Sequence, residues 1–232
     1  MNDNLKLVLC TGAPGSVWSM ISNKIKKNFV NFDKSDETKE RKYHIPEQHK
    51  SEFNIKDPSW VATTHVGCYF GPYHEFGHHF DDIKNHYTQE EFFKECLAPY
   101  SNDDNPYKLI RSHWFSYNLD WIWDNCKGHR LFLIWREAEH AKKWWYNMGG
   151  WNINHPIYKW YDNDDRMWEK IQEETNNILE FANRKNIQLV NYSEESLLEY
   201  WKNHCGEEPS YVNGKANPVF SDEIKFAIVD IV

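Results

Sequence analysis

Two stretches of this 232-residue chain hold residue types at a spacing that could do chemistry. The first is Thr11 to Ser19, T-G-A-P-G-S-V-W-S, small residues that follow an apolar run. From Ser16 onward, Val17, Met20, Ile21 and Ile25 recur at helical intervals. Strand, glycine loop and helix start together aim backbone N–H groups and a helix N-terminus at an anion, usually a phosphate. Aligned on Gly12, the nucleotidase pattern G-x-x-x-x-G-K-[ST] wants Gly-Lys at 17 and 18. The chain has Val17 and Trp18, and only Ser19 fits. No lysine reaches a β- or γ-phosphate from there, which argues against an ordinary ATPase or GTPase. The competing reading is a strand–turn–helix start that binds nothing.

The second stretch contains a formal H-E-x-x-H, His74, Glu75 and His78. On a helix that spacing sets both imidazoles on one face for zinc, with the glutamate as general base. Gly71-Pro72 and Gly77 disfavour a helix there, and no third ligand stands at a recognised offset: His79 is adjacent and His86 falls outside the longer pattern. No metal is therefore expected. In a chain with twelve histidines the cluster reads as a loop, with a part in acceptor binding left open.

The elements that must position the loop follow from periodicity. Leu5 to Cys10 reads as a buried parallel strand and Ser16 to Asn28 as the first helix. Residues 33–56 are polar and weakly periodic and read as an exposed insertion. Trp60 to Tyr69 is strand-like, and Thr88 with Glu91 forms a capping box ahead of Phe92 and Phe93. Tyr107 to Ile110 and Arg130 to Trp135 read as strands, each ending in a basic residue, Arg111 and Arg136. Helices are expected around Leu119 to Trp123, from Glu137 to Tyr146, over Asp164 to Arg184 and from Ser193 to Trp201. Ile187 to Val190 is a further strand, and Phe226 to Val232 reads as an edge strand. Strands alternating with helices predict a mainly parallel sheet with helices on both faces, whose carboxyl edge is where ligands bind. The loop, His113, Arg136 and Tyr192 all fall at strand ends and so converge on one rim.

Composition narrows the class. The net charge of −8 argues against general affinity for nucleic acid or anionic membrane. Five scattered cysteines, never paired as C-x-x-C, suit reduced thiols in a cytosolic compartment. No signal peptide is read ahead of the first strand, and no apolar run is long enough to span a bilayer. The length suits one α/β domain over 1–232. Twelve tryptophans either fill a core or stack a planar base or sugar.

In order and spacing these segments resemble the sulfotransferases that use the activated sulfate donor PAPS, relatives of the P-loop kinases. Pro14-Gly15-Ser16-Val17-Trp18-Ser19 stands where that family has its P-x-S-G-T-[TS] loop. Arg111-Ser112-His113 matches its strand ending in a basic residue, Ser or Thr, and His. Leu133 to Arg136 looks like its buried strand ending in Arg, and Val190 to Glu194 loosely matches its Tyr-Glu-Asp turn. The resemblance covers roughly Leu5–Met20 and Pro106–Leu198 and implies a three-layer P-loop fold. It implies that the 12–19 loop, through backbone N–H groups and the Ser16 and Ser19 hydroxyls, cradles the 5′-phosphosulfate of PAPS. It implies further that Arg136 holds the 3′-phosphate, that Tyr192 contacts the adenine and that His113 is the general base. The implied acceptor is a small molecule or glycan bearing a hydroxyl or amine. Gly15 replaces the family's loop Lys or Arg, and Trp144 replaces its serine. Asn213-Gly214-Lys215 is at best a remnant of its C-terminal element. Arg111 is a candidate substitute for the loop lysine, as are Lys142 or Lys143 for the serine. The alternatives are a P-loop module that binds a nucleotide or partner without catalysis, and a small-molecule kinase.

Overall fold

The first strand, β1 (Lys6–Thr11), is buried without interruption from Leu7 to Thr11. In the computed structural model, which describes residues 5–38, 69–71, 77–101, 104–147, 163–205, 209 and 223–232, every other strand is placed by reference to it. β2 (Tyr107–Arg111) and β3 (Arg130–Arg136) flank it, both parallel to it. β5 (Ile224–Asp230) pairs antiparallel with β3 along all seven residues, and β4 (Val190–Asn191) pairs antiparallel with β5. The sheet order is β2-β1-β3-β5-β4. Four strands thus run one way and β5 runs against them.

This corrects two expectations. Residues 226–232 do not form an edge strand, because β5 lies between β3 and β4, and half of the strand pairings are antiparallel. The physical reason is in the sequence of β5: Phe226, Ala227 and Ile228 are consecutive and fully buried, which requires cover on both faces, and an interior position supplies it.

Strand alternation sends side chains to two separate cores. Leu7, Leu9, Ile110, Leu131 and Leu133 point to one face. There they meet α2 (Ile83–His86), α3 (Gln89–Leu97), α4 (Leu119–Asn125) and the C-terminal half of α6 (Asp164–Arg184), which contributes Ile178 and Phe181. Val8, Cys10, Leu109, Phe132, Ile134 and Phe226 point to the other face. They meet Trp18, Ile21 and Ile25 of α1 (Trp18–Asn28) and Leu197, Leu198 and Trp201 of α7 (Glu194–Cys205). The result is a helix–sheet–helix sandwich. A smaller cluster of Ala141, Met167 and Ile171 joins α5 (Ala138–Asn147) to α6.

Local signals act as their chemistry predicts. Thr88 accepts from the Glu91 amide while the Glu91 carboxylate takes the Thr88 amide, a complete capping box. Asn163 caps α6 by accepting from the Arg166 amide. α1 begins two residues later than the periodicity suggests, at Trp18.

Of the stretch 33–56, read as an exposed insertion, the first residues are described: Lys34 is exposed and Ser35 half-buried. Asp33 and Asp36 are fully buried. Asp33 Oδ2 lies 2.6 Å from Lys108 Nζ, and Asp36 pairs with Lys26. Both ammonium groups lie over the Tyr100 ring. Two opposite pairs in one place make burial tolerable for charges that singly would stay in water. Residues 39–68 lie outside the described part, as do 72–76 and 148–162. Tyr69 is the described end of the Trp60 to Tyr69 stretch and bridges Arg111 in parallel.

Candidate functional site at the carboxyl rim of the sheet

Parallel pairing fixes what meets at the rim. Cys10 is level with Arg111, so the residue after β1 and the two residues after β2 leave the sheet side by side. The Ser112 amide donates to the Cys10 carbonyl at 2.9 Å, and Thr11 Oγ1 donates to the His113 carbonyl at 3.3 Å. His113 thus begins beside the Gly12 to Ser19 loop.

The loop depends on two glycines. A Cβ on Gly12 would stand 2.6 Å from Trp18 Cβ and 2.7 Å from Ser16 Oγ, so only glycine lets the turn fold back over itself. Gly15 has φ +80, and a Cβ there would stand 2.0 Å from the Ala141 carbonyl oxygen of α5. A lysine or arginine at this position is excluded by α5 itself. Val17 follows with φ 56 and ψ 21, a left-handed conformation rare for a β-branched residue. It precedes α1, whose N-terminus no side chain caps. Ser16 is fully buried within the turn, and its Oγ has no hydrogen-bond partner. Pro14 is buried and Ser19 half-buried. A strained residue, an uncapped helix start and an unpaired buried hydroxyl therefore coincide within four residues.

His113 opens a 3₁₀ turn, His113–Tyr117, whose Trp114 amide donates to the capping Ser112 Oγ. Its backbone carbonyl also accepts from Ser116 Oγ at 2.7 Å. The imidazole is stacked on Tyr69 at 6.2 Å and packed on Trp114 at 4.7 Å between ring centroids. Tyr69 in turn stacks on Trp18 at 6.1 Å, so one aromatic ring separates the helix start from the histidine. His113 Nδ1 lies 3.1 and 3.2 Å from the two carboxylate oxygens of Glu174. Glu174 is fully buried, on α6.

Arg136, at the end of β3, reaches the same rim with partners from its own chain. Nη1 donates to the Gly15 carbonyl at 2.9 Å, and Nη2 to Glu223 Oε2 at 2.6 Å. The guanidinium lies 5.7 Å from the Trp144 ring centroid. This guanidinium holds the Glu223 carboxyl below its ordinary range. Arg111 bonds Asn23 Oδ1 at 3.0 Å and tethers β2 to α1. Lys142 sits 4.5 Å over the Trp168 ring. Tyr192 stands at the rim too, its amide donating to the Ile224 carbonyl, but two strands separate it from β1. At strand spacing that is about 14 Å. Burial pushes its phenol up to about 12, with Glu194 adding to the shift.

Of the H-E-x-x-H residues, His74 and Glu75 lie outside the described part. His78 Nδ1 bonds Glu95 at 2.9 Å. Among the described residues no three His, Cys, Asp or Glu side chains gather as a metal site, and no helix is long and apolar enough to cross a membrane. Cys10, Cys96 and Cys126 are buried and free of disulfides.

Two residues of the rim escape sequence reasoning. Glu174 had a readable signal: it falls on the apolar stripe of Met167, Ile171 and Ile178, where a carboxylate is costly without a partner. Glu223 had none. The reversed strand β5 carries it to the end of β3, where Arg136 pairs with Ile224, and strand direction was not legible. No protein-family model, curated protein or solved structure matches the chain.

Proposed function

We propose that this chain is a P-loop-type enzyme that transfers a sulfuryl group from PAPS to a hydroxyl or amine of a small-molecule or glycan acceptor. The observation that carries the reading is the adjacency of His113, already paired with a carboxylate, to a glycine loop with an unpaired buried hydroxyl. The amides at the start of α1 and the Ser16 and Ser19 hydroxyls would hold the 5′-phosphosulfate oxygens. Preorganised donors of this kind stabilise charge that builds on a leaving phosphate oxygen. His113 would take the acceptor proton as that oxygen attacks sulfur in line. Imidazole suits the step because its ordinary pKa lies near neutral pH. Arg136 would serve the donor's 3′-phosphate by exchanging Glu223 for phosphate oxygens, which suit a guanidinium fork.

One observation favours a second reading, a nucleotide-binding module without catalysis. Arg136 Nη1 and Nη2 are already taken by Gly15 and Glu223, and Trp144 lies beside the guanidinium. Calorimetry with PAP, ATP and AMP separates the donor classes. Tighter binding of PAP than of ATP and AMP supports the PAPS reading, and equal binding of all three refutes it. Turnover of labelled PAPS on an acceptor panel that falls in His113→Ala, with PAP affinity kept, supports catalysis. Turnover unaffected by that change refutes the role of His113.

A further inference from the structure

His113 is fixed before any ligand arrives. Two hydroxyls hold its carbonyl, two aromatic rings hold its imidazole, and what remains to be set is which ring nitrogen carries the proton. Glu174 addresses that question. Its carboxylate lies within hydrogen-bond distance of Nδ1 and also accepts from the Tyr117 hydroxyl at 3.3 Å. Tyr117 lies 3.4 Å from Glu173 Oε2 as well, and Glu173 pairs with Lys170. The 3₁₀ turn sets His113 and Tyr117 four residues apart, and both reach α6. Burial, with both carboxylates nearby, pushes the Tyr117 phenol far up, so it stays an O–H donor. An ionised carboxylate has no proton of its own to give, so toward both groups it can act only as acceptor.

We infer that Glu174 is a positioning residue that takes the Nδ1–H of His113, leaving Nε2 as the basic nitrogen. The inference rests on the reading of His113 as the base. In the transfer, the acceptor O–H breaks and its proton goes to Nε2. The oxygen's electron pair forms the new O–S bond. The old S–O bond breaks with its pair left on the donor phosphate. Glu174 gains no proton; its charge faces the imidazolium that forms. The same arrangement of carboxylate, imidazole and substrate proton governs other histidine bases, where the wrong tautomer abolishes most of the rate.

The test uses the full chain and its Glu174→Gln variant. Two-bond ¹⁵N–¹H spectra of the unaltered protein are expected to show Nδ1 protonated and Nε2 bearing the lone pair. Glu174→Gln should shift His113 toward the Nε2–H form. It should lower kcat by roughly 100-fold or more while leaving the donor KM within about threefold. An Nε2–H tautomer in the unaltered protein, or a tautomer unmoved by the substitution, overturns the inference. If the glutamine variant does not fold, the tautomer of the unaltered protein decides. Absence of turnover in the unaltered protein would remove the transfer reading, while the tautomer measurement still decides the role of Glu174.

Discussion

Replacing Gly15 with alanine sets a Cβ 2.0 Å from the Ala141 carbonyl oxygen, at a residue held at φ +80. Two costs add. An L-residue in the left-handed region loses roughly 1–2 kcal/mol. Overpacking adds roughly 1–3 kcal/mol. The upper part of that range is expected, because the opposing atom is backbone and Ala141 is itself anchored by Met167 and Ile171. Gly128 supplies the control. It also has φ +80, yet a Cβ there meets nothing within 4 Å, so Gly128→Ala incurs the conformational cost alone. The pair isolates the packing of α5 on the loop. Thermal and urea unfolding of both variants should separate them by roughly 1–3 kcal/mol. For a chain of this length each kcal/mol is about 2–4 °C. Equal midpoints for the two variants would refute the argument that α5 excludes a side chain at 15, and with it the account of why the basic loop residue is missing.

The buried pairs around Tyr100 give two further expectations. Asp33→Asn leaves the Lys108 ammonium buried without its counter-charge and should cost about 3–5 kcal/mol in urea unfolding, with partial recovery in Asp33→Asn/Lys108→Met. A loss below about 1 kcal/mol would show the pair to be solvated. The acid limb of stability follows from the same groups. Burial alone would raise the Asp33 carboxyl, but Lys108 and Ser35 outweigh it and hold it low. Glu95 is lowered likewise, against its burial, by His78, Tyr87 and the 77–78 amides. Carboxyls depressed in the folded state stabilise it fully above their unfolded values, about 4, and lose that stabilisation as pH falls through the folded ones. Unfolding midpoints measured from pH 6 down to pH 3 should fall less steeply in Asp33→Asn/Glu95→Gln than in the unaltered chain. Parallel curves would count against this assignment.

Much of the frame was legible because buried strands and amphipathic helices leave strong periodic signals. β1, β2, β3 and the whole of α6 lie where apolar spacing puts them. What failed was direction and partnership. Phe226 to Val232 is recognisable as a strand, but apolar content does not say which neighbour it pairs with or which way it runs. Asp33 and Asp36 look solvated in sequence because each partner, Lys108 and Lys26, belongs to another element. Arg136 shows the same limit at the rim: its place was readable from the strand that ends there, but the carboxylate facing it comes from a residue 87 positions away.

The interior place of β5 has a consequence for how this chain assembles. The segment that closes the sheet is synthesised after both strands it pairs with, and its ladder with β3 joins positions about 100 apart, such as Arg130 and Asp230. Until it docks, β3 presents a bare hydrogen-bonding margin, and β4, which among the described strands borders β5 alone, lacks its place in the sheet. Zipping in a central ribbon after its neighbours exist is a slow, long-range step, and the intermediate that waits for it carries the unsaturated edge most prone to self-association.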